Sequence, residues 1–92
     1  MANNIYYKFI CIDETHAIIA EQQLNNAKTN KIKAKRLGRA VIVSINKDSM
    51  EQNELAEINY LLSSVRVHAM AYEDELSQYD IDVIEAMSGL VI

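Results

Sequence analysis

A chain with no proline and with glycine at only two positions, Gly38 and Gly89, has few places where regular structure must stop. Its 92 residues are therefore expected to be mostly helix and strand joined by short loops. The length suits a single small α+β domain over residues 1–92, large enough for one modest core. Half of the residues are hydrophobic and 24% are charged, which is the balance of a folded chain rather than a disordered one.

The segment Ile5-Tyr6-Tyr7-Lys8-Phe9-Ile10-Cys11-Ile12 is aromatic, β-branched and almost continuously apolar. It reads as a central strand covered on both sides. Asp13 offers an N-cap, and Ala17, Ala20, Leu24 and Ala27 then recur at helical spacing. Asn25-Asn26 and Thr29-Asn30 mark the end of that helix. Lys31-Ile32-Lys33-Ala34-Lys35 alternates charged with apolar, which puts its lysines on one side of a strand. Leu37-Gly38-Arg39 turns the chain into Ala40-Val41-Ile42-Val43-Ser44-Ile45, a second buried-type strand in an antiparallel hairpin.

Ser49-Met50-Glu51-Gln52 fits a capping box, and Leu55, Ile58 and Leu62 continue a helical stripe. Residues 64–76 read two ways. Val65 to Met70 alternates like a half-buried edge strand. A three-four spacing also runs unbroken through Leu55, Ile58, Leu62, Val65, Ala69, Tyr72, Leu76, Tyr79, Val83, Ala86 and Leu90, as in a long helix. Ser77-Gln78-Tyr79-Asp80 looks like a fresh helix start. The strand reading gives a ferredoxin-like βαββαβ order with a short C-terminal helix near Asp80 to Ser88. It places the two most apolar strands centrally and a lysine-rich one at an edge, where charge deters aggregation. The alternative is a three-stranded sheet packed by a long C-terminal helix or helix pair.

The net charge of −4 hides a polarity. Residues 1–47 hold eight Lys/Arg and three Asp/Glu, whereas residues 48–92 hold one Arg and ten Asp/Glu. Such a layout orients partners or self-association. Lys28, Lys31, Lys33, Lys35, Arg36 and Arg39 form a basic segment able to neutralise phosphates. With Tyr6, Tyr7 and Phe9 on the first strand, a base-stacking sheet is worth testing. The other central strand, however, lacks the aromatics of the RNA-recognition module. Nucleic-acid binding through residues 28–39 is therefore the alternative reading.

Cys11, the one cysteine, has no basic sequence neighbour to activate it and reads as a buried thiol. His16 and His68 show no metal-ligand spacing. Glu73-Asp74-Glu75 with Asp80 and Asp82 lacks the glycine and spacing of a calcium loop, and reads as a solvated acidic loop. The lone Gly38 makes no phosphate-binding loop. No catalytic, metal or cofactor residue is assigned. The candidate protein interface is Leu76, Tyr79, Val83, Ala86, Leu90 and Ile92 with Glu73, Asp74 and Glu75. Apolar residues there need either the core or a partner.

The leading expectation is a non-enzymatic interaction protein that binds a protein partner, self-associates, and resembles a small phage-type inhibitor of a larger complex in its logic. The start Met1-Ala2-Asn3-Asn4 lacks signal-peptide features, and no apolar run approaches a membrane span. A cytoplasmic, non-membrane location is expected.

Overall fold

The computed structural model describes residues 4–92. Chain order is β1 (Asn4–Cys11), α1 (Glu14–Asn25), β2 (Ile32–Leu37), β3 (Ala40–Asn46), α2 (Gln52–Val65), β4 (Ala69–Leu76) and α3 (Gln78–Ser88). The architecture is α+β. The sheet runs β2-β3-β1-β4, with each neighbouring pair antiparallel. The two apolar segments, β1 and β3, are central, and no helix is long and apolar enough to cross a membrane among the described residues.

Alternation along the strands decides which layer each side chain enters. Phe9 and Cys11 of β1, Val41, Val43 and Ile45 of β3, and Ile32 and Ala34 of β2 form one buried cluster. Ala17, Ala20 and Leu24 of α1, with Ile58 and Val65 of α2, close over it. The opposite face of the sheet carries Tyr6 and Ile42, which pack with Ile81 of α3. Leu76, Ile84 and Ile92 border this second, smaller cluster. Two helices therefore cover one face of the sheet, and α3 covers part of the other.

Asp13 caps α1 as its sequence indicates, with its carboxylate accepting from the His16 N–H at 2.8 Å. Gly38, at φ 61°, supplies the left-handed position of the β2–β3 turn. The cap of α2 differs from the sequence reading. Glu51, not Ser49, stands at the N-cap, and its N–H donates to Oε1 of Glu54 at 3.1 Å. Ser49 instead takes a left-handed φ of 54°, two residues too early to cap the helix.

The 64–76 segment resolves in favour of a strand, later than expected. Val65 ends α2, Arg66–His68 form a 3-10 turn, and pairing with β1 begins at Ala69. The three-four spacing through Leu90 is thus shared between two helices and a strand, and the long-helix alternative is not what the chain adopts. Glu73-Asp74-Glu75, read as a loop, lies in β4, where Glu73 sits opposite Lys8. Pairing with a base across the strands offsets the poor strand propensity of acids.

Buried Ile81 is 1% exposed, whereas Leu55 of α2 is 45% exposed. Ile81→Ala is expected to destabilise the fold by about 2–4 kcal/mol through a cavity against Tyr6 and Ile42. Leu55→Ala should cost about 1 kcal/mol or less. Urea unfolding of the two variants checks this ordering.

Candidate functional site

The C-terminal helix is built to stop and start sharply. Ser77 Oγ accepts from the Asp80 N–H at 3.2 Å, and Oδ2 of Asp80 accepts from the Ser77 N–H at 3.1 Å, a reciprocal cap that closes two orphan donors. Gly89, left-handed at φ 74°, ends the helix. Its N–H donates to the Glu85 carbonyl at 2.9 Å. Beyond it the chain returns to the sheet. The Ile92 N–H donates to Oε2 of Glu85 at 2.8 Å, and its side chain packs against the Tyr6–Ile42–Ile81 cluster.

With Ile81 and Ile84 directed at the sheet, the 3.6-residue period sends Tyr79, Val83, Ala86 and Met87 outward. Tyr79 is 75% exposed, Val83 36% and Met87 84%, and Ala86 is exposed. Exposed Asp80 and Asp82 flank this stripe, and Nε2 of Gln78 donates to Oδ1 of Asp82 at 3.0 Å. Beside the stripe runs an open groove of about 310 Å³, lined by Lys8, Glu73, Leu76, Tyr79, Asp80, Val83 and Ile84. An apolar seam between carboxylates can bind by burial and charge, with no bond-making chemistry required.

The interface residues expected from sequence therefore separate. Tyr79, Val83 and Ala86 face outward, Leu76 and Ile92 pack onto the sheet, and Leu90 is half-buried. Glu73 and Glu75 are exposed on β4; the Asp74 side chain lies outside the described residues. Met87 and Lys8 belong to this surface and were not among the residues expected. Met87 was legible four positions after Val83. Lys8 reaches the groove only through the pairing of β1 with β4.

The basic segment does not form one patch. Lys33 and Lys35 are exposed on the sheet face that α3 partly covers, lining a cavity of about 370 Å³ with Asn4, Ile42, Ser44, Val91 and Ile92. Lys31 Nζ donates to the Asp48 carbonyl at 2.6 Å. Arg36 pairs with Glu14 at 3.0 Å near α1, and Arg39 donates to the Ile12 carbonyl at 3.3 Å. Lys28 stands at the far corner, where its backbone N–H donates to Glu57 at 3.0 Å. The aromatics of β1 are taken up in packing. Tyr7 and Phe9 face the helices, with ring centroids 6.1 and 5.2 Å from that of Tyr72, and Tyr6 lies beneath α3 at 8% exposure.

Cys11 is fully buried. Burial, and secondarily the charge of Asp13, pushes its thiol pKa up. Two histidines far apart in sequence meet: the His16 and His68 rings lie 5.4 Å apart, and Nδ1 of His16 is 2.7 Å from Oδ1 of Asp13. Only the Asp13–His16 spacing could be read in advance. Among the described residues, no group of three or more His, Cys, Asp or Glu is placed to hold a metal ion.

The backbone N–H of His16, and then its ring, hold the Asp13 carboxyl below the ordinary carboxylate range. A depressed folded-state pKa contributes stability at pH values above the unfolded carboxylate value, about 3.9. That contribution fades as pH falls through the folded value. Asp13→Asn keeps a capping oxygen but should flatten the acid limb of melting temperature against pH, followed by circular dichroism. For Cys11, a thiol reagent should modify it slowly in the native protein and rapidly once urea unfolds the chain.

The chain matches no protein-family model, no curated protein and no solved structure.

Proposed function

We propose that this chain is a non-enzymatic interaction protein that binds a protein partner through the outward face of α3. The observation that supports the reading is the run of exposed Tyr79, Val83, Ala86 and Met87 between Asp80 and Asp82. Water contact with such a seam is unfavourable, and association removes it at about 25 cal/mol per Å² of apolar surface. Aromatic and methionine side chains are also the types enriched at interface centres. Inhibition of a larger complex, the phage-type role expected from the sequence, would use this same surface.

The strand order β2-β3-β1-β4, with α1 and α2 on one face, is read here as the ferredoxin-like arrangement extended by α3. The cytoplasm is the compartment that suits a chain whose lone cysteine is buried and unpaired. Self-association through α3 is less favoured than binding a different partner. Leu76 and Ile92 are already used by the sheet, and a second α3 brings the same acids against Asp80 and Asp82.

Nucleic-acid binding is a second reading, supported by the adjacent exposure of Lys33 and Lys35 on the sheet face. Light scattering after size exclusion, at low and high salt and with a mixed oligonucleotide pool, separates the two. The expected result is no complex with the oligonucleotides. A complex that dissociates in salt and is lost in Lys33→Glu/Lys35→Glu would establish the second reading instead. For the leading one, Tyr79→Ser with Met87→Ser should leave the melting temperature within a few degrees and weaken capture of protein partners about tenfold or more. Undiminished capture by that variant sinks it.

A further inference from the structure

Both edges of the sheet carry features that hinder an added strand. At β2, the side-chain amide of Asn25 takes the place of a neighbouring strand. Its Nδ2 donates to the Ala34 carbonyl at 3.0 Å, and its Oδ1 accepts from the Ala34 N–H at 2.8 Å. Exposed Lys33 and Lys35 guard the rest of that strand. At β4 the register with β1 slips twice, between Tyr6 and Lys8 and between Ile10 and Cys11. Glu75 there adopts a φ of 51°. Bulges of this kind bend an edge away from the flat geometry that strand addition needs. A partner that lays an extended peptide along this sheet meets a plug on one side and a kinked, acidic strand on the other.

The α3 surface has the opposite character. Its apolar residues fall at 79, 83, 86 and 87, the narrow stripe by which one helix packs on another. Residues 67–92 contain six Asp/Glu and no Lys or Arg, so the stripe's flanks on α3 itself, Asp80 and Asp82, are acidic, with Lys8 of β1 lining the adjacent groove. A second copy of α3 therefore opposes acid with acid, whereas a basic flank is attracted from both sides. In the groove beside the stripe Lys8 already faces Glu73, which leaves Asp80 and Asp82 on α3 as the carboxylates that meet a partner's cationic flanks. We infer that the partner presents an amphipathic helix whose apolar seam is bordered by lysine or arginine, seated along α3.

This inference rests on the reading of α3 as the partner surface and adds the partner's shape and charge. The test titrates the isotope-labelled full chain with three synthetic peptides of about 18 residues, long enough for a helical seam. One is an amphipathic helix with leucine on its seam and lysine on its flanks. The second has glutamate on the flanks, and the third has the lysine composition broken by prolines. The expected result is that only the first shifts the backbone amides of Tyr79, Val83 and Met87. Asp82→Lys, which leaves the Ser77–Asp80 cap intact, should shift the preference toward the glutamate peptide, and salt of about 0.5 M should weaken binding roughly tenfold. If the glutamate peptide, or the proline-broken one, shifts those amides equally, α3 remains a partner surface but the inferred helix or its charge is wrong. If none of the three moves them, the inference and the reading beneath it both fall.

Discussion

Everything proposed for this molecule depends on how Ile81 docks. Its side chain sits against Tyr6 and Ile42 on the face of the sheet that α1 and α2 leave bare. That single contact region fixes the rotation of α3 about its axis. With Ile81 inward, residues two before and two after it, Tyr79 and Val83, are carried to the far side by the helical period. Ile84 and Ile92 reinforce the same orientation, and the reciprocal Ser77–Asp80 cap fixes where the helix begins. An amphipathic helix ordinarily spends its apolar residues on the core. This one has an apolar stripe on each side, and only one of them is covered by the chain itself.

The remaining architecture narrows how the uncovered stripe is approached. Asn25 completes the hydrogen bonding of Ala34 at one edge, and two register slips distort the other. Charge acts in the same direction. The bases that look clustered in sequence are sent by strand alternation and by the turn to different faces, and three of them already have partners: Lys31 with Asp48, Arg36 with Glu14 and Arg39 with Ile12. The acids of β4 and α3 stay together because both elements lie on the same side of the molecule, across the groove that Glu73 and Asp80 share. An alternating sequence disperses charge over a sheet, whereas a strand followed directly by a helix concentrates it.

The elements whose signals are local were legible in the sequence. Asp13 and Ser77 caps, the Gly38 turn and the two apolar central strands depend on neighbours within a few residues, and they form where the residues place them. Errors arose where tertiary contact outweighed local pattern. Ser49 had the chemistry of a cap but a left-handed backbone. Val65 to Met70 alternates like a strand, yet Val65 closes α2 with its side chain in the core, which postpones the strand to Ala69. The apolar stripe that suggested one long helix was real at each residue and false as a whole, since three-four spacing cannot report a change of element. Of the candidate interface, Tyr79, Val83 and Ala86 were legible as helix positions. That Leu76 and Ile92 would turn inward was not, because it depends on Tyr6 and Ile42 lying beneath them.

The central claim is that the outward face of α3, not the lysine-bearing sheet face, meets the partner. A photo-activatable amino acid placed at Val83, and separately at Lys33, in the full chain within its host cells measures this directly. The account predicts protein adducts from position 83 and few from position 33. Nucleic-acid adducts concentrated at position 33, with none at 83, would contradict it.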